Sequence, residues 1–209
     1  MPVDNLPKKI AIFPLADAVF FPKTVLPLNI FEKRYIQLVN DCMKGGRLFG
    51  MVQPKFNIGP EPEVYRVGCL GKITNLSETD DKQFIINLLG ITRFKIEEEL
   101  RTDKLYREFK VDYSDFIYDL ETEKNKFENK KLINKIKSLF KKNNYLVEFN
   151  KLEKLNLDQL INAICMIFPF SIEEKQKLME TIKTEDKAKI LEKVINFNLI
   201  NNFESKTIQ

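Results

Sequence analysis

The sequence predicts an α+β protein in which a β-rich N-terminal part precedes an all-helical C-terminal part. Up to Tyr118, short apolar runs and residues alternating at a period of two are typical of strands. Residues 119–131 are highly charged and are predicted to form a linker or surface loop. Beyond them, apolar residues recur at a period of 3.6, as in amphipathic helices. The 209 residues, 44% hydrophobic and 31% charged, fit an ordinary globular protein. We expect a β-rich domain over 1–118 and a helical bundle over 124–202.

The N-terminal part contains six strand candidates. They lie at 10–14, 25–28, 48–53, 68–77, 84–96 and 105–113. A polar turn, SETDDKQ, separates the fourth candidate from the fifth. Gly68 and Gly71 in the fourth predict a bulge or a close backbone approach. In the last candidate, alternation places Leu105 on the buried face, and Tyr106 and Glu108 on the other face.

One helix interrupts the strands. Asn29 followed by Glu32 predicts a capping box at its start. Gly45 and Gly46 predict a left-handed stop at its end. Five apolar residues form its predicted stripe: Phe31, Tyr35, Leu38, Val39 and Cys42.

Four helices are predicted in the C-terminal part. Apolar stripes over 132–140 and 157–168 define the first two. Pro169 ends the second, and Ser171 with Glu174 opens the third through a capping box. Thr184 opens the fourth, whose predicted apolar face consists of Ala188, Leu191, Val194 and Ile195.

The chain contains no histidine, which excludes Ser-His-Asp and Cys-His catalysis and removes the commonest metal ligand. Cys42, Cys69 and Cys165 are too scattered for a zinc site or a disulfide framework, so we expect small buried apolar side chains. The string GCLGKIT lacks the spacing of a P-loop. We therefore predict no catalytic residue, no metal and no cofactor. A Ser-Lys dyad stays open, although no spacing points to one.

The N-terminal residues lack the apolar region of a signal peptide. The longest apolar run, 163–170, is far shorter than the roughly 20 residues that a membrane span needs. Because the cysteines show no paired spacing, a reducing compartment is favoured. We expect a cytoplasmic protein without membrane contact.

A lysine-rich segment over 124–142 carries eight lysines against one glutamate. It predicts, as an alternative function, binding of RNA or another polyanion through Lys130, Lys131 and Lys135. The competing interpretation is the solvated face of an amphipathic helix. A net charge of only +4 and the presence of only six arginines favour this second interpretation.

The apolar stretch AVFFPKTVLPLNIFEKRY, at 18–35, contains two adjacent phenylalanines. Neighbouring side chains in an extended segment point to opposite sides, so we expect either Phe20 or Phe21 to be exposed. With Pro22 and Lys23, that ring would border a patch for unfolded or partner polypeptide. The alternative is that both rings pack in the interior.

The order of motifs resembles the N-terminal domain of Lon proteases, and more closely the stand-alone proteins built on that domain. The motifs are FPL at 13–15, VFFP at 19–22, LPL at 26–28, IFEKRY at 30–35, VG at 67–68 before Ile73, GITRFKI at 90–96 and PFSIEEKQKLME at 169–180. The resemblance covers nearly the whole chain and is weakest at 113–155. It implies a PUA-like β pseudobarrel of about six strands with one helix, followed by a helical bundle.

The resemblance also implies a function. In Lon proteases this domain recognises and holds substrates, whereas the ATPase and the Ser-Lys peptidase lie in later domains. Neither activity is carried over to this sequence, which has no P-loop. The predicted function is non-catalytic recognition of unfolded or partner polypeptides, with a separate protease or chaperone as a further partner. Nucleic acid is the alternative partner.

Overall fold

The computed structural model describes residues 3–16, 18–55, 62–121 and 130–201. The chain divides into two compact units, Met1–Glu121 and Thr122–Gln209. We call them the sheet unit and the helical unit. The boundary between the units lies between residue 118, where the predicted β-rich domain ends, and residue 124, where the predicted helical bundle begins.

The sheet unit is built on a mixed sheet of six strands. They are β1 (Lys9–Pro14), β2 (Val25–Ile30), β3 (Leu48–Val52), β4 (Val67–Glu78), β5 (Phe84–Leu100) and β6 (Arg107–Asp112). Their order is β2-β5-β4-β3-β1-β6, and β6 also pairs with β5, so the sheet closes on itself. Only the β1–β3 pair is parallel among the described strands. The prediction of an α+β fold with six strands followed by helices is confirmed.

Helix α1 (Lys33–Met43) begins later than predicted. Its N-cap is Glu32, whose side chain makes no capping hydrogen bond and instead accepts from Arg34 Nε at 2.9 Å. Asn29 belongs to β2 and pairs with Ile85 of β5. The predicted capping box is therefore wrong, because pairing with β5 keeps the backbone extended through Asn29.

The stripe and the end of α1 also differ from the prediction. Phe31 is 62% exposed, because it precedes the helix and does not share its periodicity. Neither Gly45 nor Gly46 has a positive φ; Arg47 takes the left-handed conformation, with φ of 61°. The stripe residues that are buried as predicted are Tyr35, Leu38 and Val39.

The glycines of β4 allow neighbouring strands to approach closely. A Cβ atom at Gly68 would lie 2.4 Å from the carbonyl oxygen of Met51, and one at Gly71 would lie 2.4 Å from Leu88 Cγ. The register between β4 and β5 shifts between Leu70 and Gly71. The predicted bulge and close approach are confirmed.

A buried ion pair between Arg93 and Asp119 connects β5 to the 3₁₀ segment Ser114–Leu120. The side chains of Arg93 and Asp119 are 3% and 4% exposed. The guanidinium donates to both carboxylate oxygens, at 2.8 and 2.9 Å, and the backbone N–H of Arg93 donates to Asp119 Oδ2 at 2.9 Å. Three donors on one carboxylate compensate its burial. Asp119, predicted to lie in a surface loop or linker, is thus an interior residue.

The helical unit contains α2 (Lys130–Lys142), α3 (Phe149–Leu152), α4 (Leu157–Ile167), α5 (Ile172–Glu180) and α6 (Thr184–Asn201). The four predicted helices correspond to α2, α4, α5 and α6, and α6 contacts the other three. The predicted capping box of Ser171 and Glu174 is present, and Asn156 with Gln159 forms another at the start of α4. None of the described helices combines the length and the apolarity needed to cross a lipid bilayer.

A second buried ion pair joins α6 to α4. The Lys187 side chain is fully buried, and its Nζ lies 2.8 Å from Asp158 Oδ1. The other oxygen of Asp158 accepts from Asn162 Nδ2 at 3.1 Å. Lys187 was not part of the predicted apolar face of α6, although it lies one turn before the buried Leu191 on the same side.

Replacing Asp119 with alanine is expected to lower the free energy of unfolding of the sheet unit by about 3–5 kcal/mol, because it leaves the Arg93 charge buried without its carboxylate. Asp115→Ala, at an exposed position of the same segment, is the control and should change the value by less than about 0.5 kcal/mol. Urea unfolding followed by tyrosine fluorescence measures both, since five of the six tyrosines lie in the sheet unit. Equal effects of the two substitutions would contradict this prediction.

Candidate functional site

The predicted site at 20–23 turns the chain into β2 and is mostly buried. Phe20 and Phe21 are 3% and 0% exposed, and Pro22 is also buried. Lys23 is half-buried, has a φ of 60° and donates through Nζ to the carbonyl oxygen of Glu121 at 3.0 Å. The alternative, that both rings pack in the interior, is therefore what the structure shows, and the hypothesis of one exposed ring is wrong.

Both rings can be buried because Phe20 and Phe21 lie outside the strands, where the alternation of side chains does not apply. The turn lies against β5, where Lys23 N–H donates to the Gly90 carbonyl and Gly90 N–H donates to the Thr24 carbonyl, both at 2.9 Å. A Cβ atom at Gly90 would lie 2.2 Å from the carbonyl oxygen of Phe21, so this contact requires glycine. The segment thus positions β2. The role of residues 20–23 in contacting a polypeptide stays a prediction.

Two of the three lysines predicted to bind a polyanion have an acidic partner. Glu192 Oε1 on α6 lies 2.5 Å from Lys135 Nζ and 3.7 Å from Lys131 Nζ. The hydrogen bond from Lys135 holds the pKa of Glu192 below its ordinary value. Lys130 is exposed at the start of α2, and residues 124–129 of the lysine-rich segment lie outside the described residues. Glu192 reduces the positive field of α2, and the polyanion-binding role stays a prediction.

A concave surface that the sequence analysis did not predict surrounds Tyr106 in the sheet unit. Residues of β1, α1, β6 and the 101–106 connection contribute to it. Its most enclosed part, which we call the Tyr106 pocket, has a cavity volume of about 190 Å³. Its lining consists of Ile12, Pro14, Ala16, Arg34, Tyr35, Pro54, Pro62, Leu105, Tyr106 and Arg107.

The two arginines of the Tyr106 pocket are already paired with carboxylates. Arg107 donates to both oxygens of Glu99, at 2.6 and 2.7 Å. Arg34 lies 2.8 Å from Glu32, and its guanidinium carbon lies 4.5 Å from the centre of the Tyr35 ring. With these charges compensated, the prolines, the tyrosine rings and the aliphatic groups form the apolar part of a mixed lining, and this part can contact an uncharged side chain.

A wider groove of about 380 Å³ adjoins the pocket at Tyr106. The Tyr106 hydroxyl donates to Asp41 Oδ2 at 3.0 Å. The Glu108 side chain is only 7% exposed and lies 2.8 Å from Lys9 Nζ and 3.1 Å from Lys104 Nζ. Burial alone would raise the pKa of Glu108, but hydrogen bonds from the two lysines hold it below its ordinary value. The charges of Glu108, Lys9 and Lys104 in the groove are therefore paired.

The sequence analysis did not predict this site because it assigned the wrong side-chain directions at the start of the alternating segment 105–113. Tyr106 is 4% exposed and Glu108 is 6% exposed, whereas Leu105 is 63% exposed, the reverse of what the pattern predicts. The reason is that β6 begins only at Arg107 and pairs with both β1 and β5. The preceding connection sets the directions of Leu105 and Tyr106, and Lys9 and Lys104 cover Glu108.

The three thiols are poorly placed for nucleophilic chemistry. Cys69 and Cys165 are fully buried, and Cys42 is half-buried with its Sγ 3.2 Å from the Leu48 carbonyl oxygen. Burial raises the pKa of Cys42 and that of Cys165 to about 12. Thiolates are therefore scarce at neutral pH. Across the described ranges, no cluster of three or more His, Cys, Asp or Glu residues could hold a metal ion.

A closed mixed sheet followed by a helical unit is the fold of solved Lon N-terminal domains. A Lon N-terminal domain protein from Xanthomonas campestris aligns with a TM-score of 0.64 and 18% identity, over 88% of this chain and 96% of that chain. The N-terminal domain of the Mycobacterium avium complex Lon protease aligns with a TM-score of 0.65 and 12% identity, over 90% of this chain and 98% of that chain. At these identities the likeness concerns the fold.

Residues 9–196 match the family described as the substrate-binding domain of the ATP-dependent protease La (LON), and the chain belongs to this family. Lon proteases of Desulfosudis oleivorans and Syntrophus aciditrophicus are 28% and 27% identical over 94% and 93% of this chain. The matches cover only 25% and 26% of those two proteins, so the chain spans about a quarter of their length. The resemblance found in the sequence is confirmed.

We expect the native thiols to react slowly with Ellman's reagent. At about pH 8, a thiol with a pKa of about 12, such as that of Cys42, is ionised in only about one molecule in ten thousand. Unfolding in guanidinium should expose all three thiols, so that they react with the reagent at the same time. Absorbance of the released thiolate measures both rates, and a Cys42→Ser variant is the control that identifies the half-buried thiol. Rapid reaction of one thiol per native chain, lost in the variant, would contradict the expectation.

Proposed function

We propose that this chain is a non-catalytic recognition domain that binds unfolded or partner polypeptides and works with a separate protease or chaperone. Membership of a family named for substrate binding supports the first part. The absence of histidine and of a P-loop from the sequence supports a role without bond cleavage or nucleotide hydrolysis. The observation that carries the proposal is the Tyr106 pocket, a concavity with a mixed polar and apolar lining whose charges are compensated.

The size of the Tyr106 pocket supports a single large apolar side chain as its ligand. Its volume of about 190 Å³ lies below the range of roughly 300–1,000 Å³ that is usual for small-molecule and cofactor sites. Burying a leucine or phenylalanine side chain contributes about 1.5–3 kcal/mol, which gives only weak binding. Folded proteins keep most such side chains inside, so this pocket would favour unfolded chains.

Replacing Leu105 with serine should weaken the binding of an unfolded protein. Leu105 is 63% exposed on the pocket, so its loss removes apolar contact area with little expected effect on folding. We expect about a fivefold loss of affinity for fluorescein-labelled, reduced and carboxymethylated α-lactalbumin, measured by fluorescence anisotropy. Leu146→Ser is the matched control, since Leu146 is fully exposed in the helical unit. Unchanged affinity of the Leu105 variant, or an equal loss in both variants, would remove the pocket from the proposal.

The alternative function, binding of a polyanion, makes a prediction that differs from the one for unfolded protein. Binding to labelled poly(U) RNA would fall steeply with salt, and a triple variant, Lys130→Gln, Lys131→Gln and Lys135→Gln, would reduce both affinity and salt slope. We expect neither effect, because Glu192 already pairs with two of these lysines. Anisotropy titrations at several salt concentrations measure the slope. A slope that drops by about two in the triple variant would favour the alternative, since each lysine contributes about 0.7 on a single strand.

A further inference from the structure

The strand β2 forms one edge of the sheet. Among the described strands it pairs with β5 alone, in a register that runs from Val25 opposite Leu89 to Ile30 opposite Phe84. In an antiparallel pair, successive residues alternately direct their N–H and C=O groups toward the neighbouring strand and away from it. Half of the backbone groups of β2 therefore point away from β5.

The position of Pro27 shows which backbone groups of β2 point away from β5. Pro27 has no N–H group and lies opposite Asn87 of β5. The carbonyl oxygen of Asn87 accepts from Thr74 Oγ1 of β4 at 3.0 Å, so the backbone of Asn87 faces β4 and not β2. The outward positions are therefore Val25, Pro27 and Asn29. In the described ranges and apart from strand pairing, no backbone–backbone hydrogen bond involves these three residues.

The side chains of β2 would not repel an added strand. Its sequence, VLPLNI, contains no charged residue. Edge strands are usually protected by lysines, prolines, bulges or a covering segment, and of the first two β2 has only Pro27, which removes one outward donor and leaves the other outward backbone groups in place. Val25 is 54% exposed on one face. Leu26 and Leu28 are only half-buried on the other face, and a further strand would cover their remaining apolar surface.

We infer that the edge of β2 binds an extended, uncharged polypeptide segment by strand addition. This inference rests on the proposed function and specifies how the polypeptide is held. The guest backbone donates to the carbonyl groups of Val25, Pro27 and Asn29 and accepts from the N–H groups of Val25 and Asn29. Every second side chain of the guest covers Leu26 and Leu28. Because backbone bonds do not depend on the guest's sequence, one edge serves many unfolded chains, and its lack of charge matches apolar segments.

A second copy of this chain fits the same edge less well. Two β2 strands related by a two-fold axis at Pro27 would place the two prolines opposite each other, and this central pair would lack both of its donors. A guest without proline at that position loses only one of the two bonds. The edge therefore favours a foreign segment over self-association.

Amide hydrogen exchange on the full chain tests the inference, with an acetylated and amidated hexapeptide of alternating threonine and valine as the probe. The outward amides of Val25 and Asn29 should exchange rapidly in the free protein and at least about tenfold more slowly with the peptide bound. The amides of Leu26 and Leu28, which face β5, are internal controls that are protected in both states. Protection of Val25 and Asn29 that appears at high protein concentration without peptide would show self-pairing and overturn the inference.

Two variants distinguish peptide binding at the edge of β2 from peptide binding on the face of the sheet. Val25→Lys places a charge at an outward position and should weaken peptide binding about tenfold or more. Ile85→Lys is the matched control: Ile85 is 51% exposed, but its strand β5 is paired on both edges, so binding should persist. An equal loss in both variants would indicate contact with the face and overturn strand addition.

Binding of unfolded α-lactalbumin by the unmodified protein separates the two proposals. If α-lactalbumin binds while Val25 and Asn29 stay unprotected in the presence of the peptide, strand addition is wrong and the proposed function stands. If α-lactalbumin does not bind, the proposed function is wrong, and strand addition is wrong as well unless the peptide protects Val25 and Asn29. If α-lactalbumin binds and the peptide protects both amides, the edge is a polypeptide-binding site.

Discussion

The backbone of β5 is the constraint on which the sheet unit depends. This strand of 17 residues pairs with β2 along its first half, with β6 along its second half and with β4 along most of its length. Two positions in its middle hold the parts of the chain that are not strands. Gly90 leaves room for the turn at 21–24, and Arg93 binds the segment that contains Asp119. A side chain at position 90, or the loss of charge at position 93, would therefore affect elements that are distant in sequence.

The distribution of charge explains what kind of recognition this domain can support. The buried pairs Arg93–Asp119 and Lys187–Asp158, together with the arginine–glutamate pairs at the Tyr106 pocket, compensate charges locally. What stays available in the sheet unit is a pocket with compensated charges and apolar groups in its lining, and an uncharged strand edge. Both suit the features that an unfolded chain exposes, which are large apolar side chains and unpaired backbone groups. Under the proposed function, binding through such features is weak at each contact and tolerant of the sequence of the bound chain.

The sequence predicted the elements well and the direction of individual side chains less well. Long periodic segments such as β5 and α4 were recognised, because their patterns extend over many residues and end at clear turn or capping signals. Errors occurred where a short segment leaves regular structure. Phe20 and Phe21 lie at a turn, Phe31 lies between a strand and a helix, and Leu105 lies just before β6. At such positions the neighbouring elements set the direction of the side chain, so the local sequence pattern does not predict that direction. The Tyr106 pocket was missed for the same reason.

The sequence by itself determined the α+β class, the six strands, the long helices, the family and the absence of histidine-based chemistry. These properties follow from periodicity, from composition and from motif order, each of which is local or additive along the chain. Only the tertiary structure decided that both phenylalanines at 20 and 21 are buried, that Lys187 and Asp119 lie in the interior, and that β2 is an edge. Each of these depends on which segments, far apart in sequence, come to lie side by side. A buried charge is stable only beside a partner from another element, and a strand is an edge because a neighbouring strand pairs with only one of its two sides.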